Sequence, residues 1–198
     1  MSPQRREILL GLLAGVALGP AATGPASAQS LPRVLQPTPS CADEDDATMA
    51  QTEGPYFTPN SPAKRNLAAD SPGGVPFLVG GQVVDTDCNP IRNALVEIWH
   101  ADENGGYDNQ GFKLRGHQTS GKNGAWWFET IIPGIYPGRT RHFHFKVQQP
   151  GGSVLTTQLY FPGEPGNRRD GIYDRRLVLN VGEDGGDRFG RFDFVLRA

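Results

Sequence analysis

His142-Phe143-His144 is the part of the chain best equipped for chemistry. If the run Arg141-His142-Phe143-His144-Phe145-Lys146-Val147 is a strand, residues two apart face the same way and both imidazoles can reach one point. A bare H-x-H is more often a solvent-facing pair than a metal site, but its setting changes the balance. Tyr136 stands six residues before His142, inside the rigid turn Pro133-Gly134-Ile135-Tyr136-Pro137. A phenol held between prolines near two imidazoles is unusual unless it serves the same site. A second phenol, Tyr107, closes the Gly-rich stretch Asp102-Glu103-Asn104-Gly105-Gly106 that follows Trp99. Tyr56, Tyr160 and Tyr173 lack such a setting and are read as packing or pocket residues.

These side chains need a frame, and composition narrows it. The chain has 198 residues, with 19 Lys+Arg against 21 Asp+Glu, a net charge of −2 that argues against a nucleic-acid binder. With 26 Gly and 17 Pro the sequence is turn-rich, yet ten Phe, five Tyr and three Trp can fill one core. Short β-type runs recur between turn signals at 77–85, 95–100, 125–131, 141–147, 155–161 and 191–196. In the second of these, Leu95, Glu97 and Trp99 share a face. No stretch beyond residue 28 sustains a helical period. The expected fold is all-β, a two-sheet antiparallel β-sandwich with long Gly/Pro-rich loops.

Residues 1–28 read as a signal peptide. Arg5-Arg6 precedes an apolar run from Ile8 to Leu18, and Ala26-Ser27-Ala28 supplies an A-x-A cleavage pattern. The run is too short for the roughly 20 residues of a membrane span, so stable membrane insertion is not expected after its removal. The paired arginines fit a twin-arginine type, a route suited to proteins that fold around a cofactor before export. A periplasmic or extracellular location follows. In that setting Cys41 and Cys88, the only cysteines, are expected to form a disulfide rather than remain two thiols. Residues 29–50 are read as an irregular N-terminal arm and 51–198 as the catalytic β-sandwich domain.

Four linked segments resemble one family. Thr52-Glu53-Gly54-Pro55-Tyr56, Val96-Glu97-Ile98-Trp99-His100-Ala101-Asp102 with Tyr107, Thr130 through Pro137, and Arg139-Thr140-Arg141-His142-Phe143-His144 are similar in order and spacing to the intradiol ring-cleavage dioxygenases. The resemblance implies a β-sandwich holding non-haem Fe(III) on Tyr107, Tyr136, His142 and His144. That donor set suits a hard ferric ion, which favours anionic oxygen and accepts imidazole. It further implies that a catecholic substrate and O2 react to a muconate-type diacid, with Tyr136 leaving the metal and taking a substrate proton. Arg139 would stabilise charge developing on the ring, and Gln158 would contact the rearranging intermediate. Pro55, Tyr56 and Trp99 would line the pocket. Arg141 would face away from His142, and His100 and His117 would not be ligands. Where some relatives carry a tryptophan two residues after the departing tyrosine, this chain has Gly138, which implies a wider pocket.

Two other readings stay open at this point. One is an exported β-sandwich binding module for carbohydrate or aromatic polymer, without catalysis. The other is a zinc or copper hydrolase-like site on His142 and His144, which would normally recruit a carboxylate or a third histidine. The preferred catechol and the oligomeric state are not legible.

Overall fold

The computed structural model describes Cys41 and residues 47–197. The expected signal peptide and most of the 29–50 arm lie outside the described residues. The described residues form nine strands: β1 (Pro76–Asp85), β2 (Leu95–Trp99), β3 (Arg115–Thr119), β4 (Ala125–Ile131), β5 (His142–Gln148), β6 (Val154–Tyr160), β7 (Asn180–Asp184), β8 (Asp187–Arg191) and β9 (Phe194–Leu196). Among the described residues, helix is confined to short 3-10 turns at Ala68–Asp70, Pro165–Arg168 and Arg175–Leu177.

The strands form two sheets. One is four-stranded and wholly antiparallel, in the order β3-β2-β5-β6. The other runs β4-β1-β8-β7, with β9 also paired to β1. This second sheet is mixed rather than antiparallel, because β8 and β9 both lie parallel to β1. The expected single run at 191–196 is broken for the same reason. Phe192 donates its N–H to the Gly80 carbonyl, and Asp193 turns its carboxylate onto the Gln82 N–H. The chain thereby shifts along β1, pairing first with residues 78–80 and then with 83–85.

Alternation decides which side of each strand is buried in the core. Val96 and Ile98 of β2, Phe143, Phe145 and Val147 of β5, and Leu159 of β6 point between the sheets. They meet Val79 and Val83 of β1 and Trp126 and Phe128 of β4, with Trp126 and Phe145 rings 5.3 Å apart. β3 (Arg-Gly-His-Gln-Thr) shows no apolar alternation, and pairing with β2 over its full length is what makes it a strand.

Cys41 and Cys88 are bonded, with Cα atoms 5.3 Å apart, and this ties the N-terminal segment to the turn after β1. At a sequence separation of 47, the chain-entropy model assigns the bridge about 4 kcal/mol.

His100, just beyond β2, is buried in the core as a neutral ring. One nitrogen reaches the Ala101 carbonyl at 2.8 Å and the other the Thr130 hydroxyl at 2.6 Å. Burial pushes its pKa down to about 4, against the opposing help of the Ala101 carbonyl. Because the unfolded chain takes the proton first, stability should fall as pH drops from about 6.5 toward 4, by about 3 kcal/mol for this group. Urea unfolding of the parent and of His100→Gln across pH 4–7 checks this, and the variant should show a shallower decline.

Candidate metal centre

The site is built on the outer face of the four-stranded sheet. Cross-strand register lines up Arg115 of β3, Trp99 of β2, His144 of β5 and Gln158 of β6 in one row. His142 pairs with Tyr160 one step along the same face. Phe143 and Phe145 point into the core, so the imidazoles between them must face outward. They are nonetheless only 4% and 3% exposed, because three loops cover that face.

The first covering segment, 51–57, is stitched to the sheet. Gln51 N–H bonds the Thr156 carbonyl, the Gln158 side-chain amide donates to the Thr52 carbonyl, and Glu53 pairs with Lys146 at 2.6 Å. Gly54, at φ +73°, lets the backbone pass so close to His144 that an added Cβ would lie 3.3 Å from the ring. The other two loops carry the phenols and lock onto each other. Gly134 N–H bonds the Asp102 carbonyl at 2.7 Å. A Cβ on Gly105 would come within 2.4 Å of the Ile135 carbonyl oxygen, and one on Gly134 within 2.3 Å of the Gly105 nitrogen. Only glycine allows this backbone-to-backbone contact, which sets Tyr107 beside Tyr136.

The four expected donors are brought together. His142 and His144 face one another with Nε2 atoms 3.1 Å apart. Tyr107 lies edge-on to His144 with ring centroids 6.2 Å apart, and to Tyr136 at 6.1 Å. His142 Nδ1 is 2.6 Å from the Thr140 carbonyl, so it carries the hydrogen and leaves Nε2 as a lone pair. His144 Nδ1 is buried without a partner. The ring is instead held by stacking on Trp99, at 4.9 Å and nearly parallel. Trp99 was expected on the pocket wall; at 1% exposure it backs the imidazole rather than lining an opening.

Electrostatics suit a cation. Burial holds His142 neutral down to about 4, with the Thr140 carbonyl partly opposing, and holds His144 well below its ordinary range. Burial pushes the Tyr107 phenol up, against the nearby Arg139 and Arg115, so it ionises in this setting only if positive charge arrives. Two imidazole nitrogens 3.1 Å apart match adjacent positions around a metal about 2.1 Å from each. The phenol rings of Tyr107 and Tyr136 stand beside this pair. Among the described residues, no three His, Cys, Asp or Glu side chains are placed to hold a metal. His100 and His117 are engaged elsewhere, His117 with the Ser61 hydroxyl.

Around the donors, Tyr56 does more than line the pocket. Its hydroxyl donates to the Tyr136 hydroxyl at 2.9 Å, and its ring stacks on Tyr107 at 4.5 Å. The bond to Tyr136 raises its own pKa. Arg139 reaches the site after the Pro137-Gly138 turn and places one terminal N–H 2.6 Å from the Gln158 side-chain oxygen. Nothing lies within 4 Å of where a Gly138 side chain would begin. Arg141 points elsewhere, to Glu164 and the Pro133 carbonyl.

Two charged residues were missed by the sequence reading. Asp170 pairs with Arg139 at 2.8 Å. Arg115 is 1% exposed and has no carboxylate partner among the described residues; its guanidinium is spent on the carbonyls of Tyr56 and Asp108 and on the Asn109 side chain. It clamps the Tyr56 and Tyr107 loops to the sheet. The polar run of β3 offered no signal that one of its residues would be buried.

A β-sandwich with two histidines and two tyrosines gathered on one sheet defines a candidate ring-cleaving dioxygenase. Residues 52–198 match the family model described as Dioxygenase (Dioxygenase_C), and the chain belongs to the intradiol ring-cleavage dioxygenase family. It is 34% identical over 153 residues to hydroxyquinol 1,2-dioxygenase of Nocardioides simplex, covering 65% of this chain and 52% of that one. The chain thus spans about half the length of that relative. It is 34% identical over 163 residues to the protocatechuate 3,4-dioxygenase beta chain of Burkholderia cepacia, covering 68% and 69%. A solved structure of the dioxygenase domain from a dioxygenase carbohydrate-binding protein fusion of Streptomyces sp. SirexAA-E superposes with a TM-score of 0.75 at 51% identity, covering 77% of this chain and 99% of that one.

Replacing Arg115 by Met strands the carbonyls of Tyr56 and Asp108 in a buried place. The expected loss is about 2–4 kcal/mol in urea unfolding, with faster amide exchange concentrated at residues 54–57 and 107–109. Uniform exchange rates across the two loops would speak against the clamp.

Proposed function

We propose that this chain is an exported, non-haem Fe(III) dioxygenase that cleaves catecholic rings between the two hydroxyls with O2, giving muconate-type diacids. The observation that carries the reading is the convergence of two neutral imidazoles, Nε2 to Nε2 at 3.1 Å, beside two phenols. Tyr107, Tyr136, His142 and His144 would hold the iron. When bound, ferric iron supplies a chelating Lewis acid that takes a catechol as its dianion and keeps it poised for dioxygen.

The protein's own groups do the rest. Tyr136 takes up a proton that the catechol surrenders on binding, and the Tyr56 hydroxyl, 2.9 Å away, then accepts a hydrogen bond from the neutral phenol. Arg139 holds a cation against the charge that builds as oxygen adds to the ring. Gln158, beside His144 on the sheet and already bonded to Thr52 and Arg139, would face the rearranging substrate through the N–H it has left over. The Trp99 stack holds the His144 ring and the Thr140 carbonyl holds that of His142. Relatives named for hydroxyquinol, catechol and protocatechuate support a small catecholic substrate. The Cys41–Cys88 bridge supports export to an oxidising compartment by way of the expected signal peptide.

The test is oxygen uptake by iron-loaded protein against hydroxyquinol, catechol and protocatechuate, with the products identified by mass. A burgundy phenolate-to-ferric band and stoichiometric O2 consumption are expected; a colourless, inert protein would favour the binding-module reading. Tyr107→Phe should lose both iron and colour, and unchanged iron and band would refute the ligand set. Arg139→Ala should keep both, yet turn over about 10²–10³-fold more slowly.

A further inference from the structure

We propose that Asp170 is a positioning residue for the ring-cleavage reaction, aiming the Arg139 guanidinium at the reacting substrate and tying it to the His142 imidazole. The inference rests on the proposed function, and it concerns a residue that no motif singled out.

Arg139 follows the exposed Pro137-Gly138 turn, where a long side chain has many conformations open to it. Asp170, 31 residues later in sequence, removes that freedom. Its side chain is 2% exposed. One oxygen accepts both Arg139 Nε, at 2.8 Å, and the Thr140 backbone N–H, at 2.9 Å. The other accepts the Ile172 N–H at 3.1 Å. With Nε engaged from one side, the planar guanidinium has one orientation left, and it places a terminal nitrogen 2.6 Å from the Gln158 side-chain oxygen. A carboxylate held by two backbone N–H groups, those of Thr140 and Ile172, does not follow a mobile arginine; it dictates where the arginine lies.

The same carboxylate fixes the peptide between cation and metal-binding ring. Thr140 gives its N–H to Asp170 and its carbonyl to His142 Nδ1, 2.6 Å away. Asp170, Arg139, Thr140 and His142 thus form one connected unit in which the distance from cation to imidazole is set. Burial works against charge on Asp170, yet the Thr140 N–H, Arg139 and the Ile172 N–H together hold its carboxyl below the usual range, so it is ionised at neutral pH. A surface ion pair would do none of this, and the neighbouring Arg141–Glu164 pair shows the contrast, since it leads to the Pro133 carbonyl and not to the site.

The experiment compares iron-loaded parent, Asp170→Asn, Arg139→Ala, Arg139→Lys and the double variant D170N/R139A. In D170N the iron content, the visible band and anaerobic catechol affinity should stay at parental values, while kcat falls on the order of 10- to 100-fold. The double variant should be no slower than R139A, because the amide oxygen left by D170N can still accept the Thr140 N–H and hold His142, so that the loss in kcat runs through Arg139. R139K keeps the charge, but a single ammonium cannot serve Asp170 and Gln158 with a planar fork, so its kcat should fall nearly as far as that of R139A. Parental kcat in D170N or R139K, multiplied losses in the double variant, or iron lost from D170N would each overturn the proposal. If D170N does not fold, R139K decides alone. If the parent consumes no O2 with any catechol, the ring-cleavage reading fails separately. Melting temperatures of the four-protein cycle then test the pairing: coupled losses support it and additive losses overturn it.

Discussion

The two-residue period of β5 is the constraint on which the molecule turns. Phe143 and Phe145 must enter the core, and that requirement alone sends His142 and His144 to the opposite face. A one-residue slip in pairing with β2 or β6 would bury the imidazoles among phenylalanines and expel the core. The same register sets Trp99 and Gln158 on either side of His144. The placement of the two imidazoles and the hydrophobic packing are therefore specified by the same pairing, and a change that damages one damages the other.

The loops solve a different problem, which is to carry two bulky phenols over a flat sheet and stop them from moving. Here rigidity comes from backbone contact rather than from side-chain packing. The Tyr107 and Tyr136 loops touch through Gly105 and Gly134, and the Gly54 segment closes over His144. Hydrogen bonding is correspondingly concentrated at the rim: the Arg115 clamp draws on carbonyls from two loops at once. A site assembled this way has little slack, which suits chemistry that depends on fixed donors and a fixed cation.

Much of this was legible from residue types and spacing. The H-x-H pattern, the two phenols in Gly/Pro-bounded loops and the run of short strands pointed to a β-sandwich and to the side chains that meet on its face, because each is a local signal. Arg115 and Asp170 were not legible. Arg115 sits in a strand without apolar alternation, and its value lies in carbonyls of residues 56 and 108. Asp170 reads as part of a charged run beside Arg168 and Arg169, and its partner is 31 residues away. The parallel pairing of β8 and β9 with β1 was missed for a similar reason, since alternation reports which residues face the core and carries no direction. Trp99 was misplaced because an aromatic beside a pocket and one beneath a ligand look alike in sequence.

The placement of β1 has a consequence for how the chain acquires its shape. All strands of the site-bearing sheet lie between Leu95 and Tyr160, so they are synthesised close together. β1 precedes them, yet two of its neighbours, β8 and β9, come from residues 187–196. Its sheet cannot be completed until that late segment has left the ribosome, and long-range parallel pairing is slow to form. The sheet that gathers the histidines is thus closed within one stretch of the chain, while the layer that covers its apolar face depends on strands from both sides of that stretch.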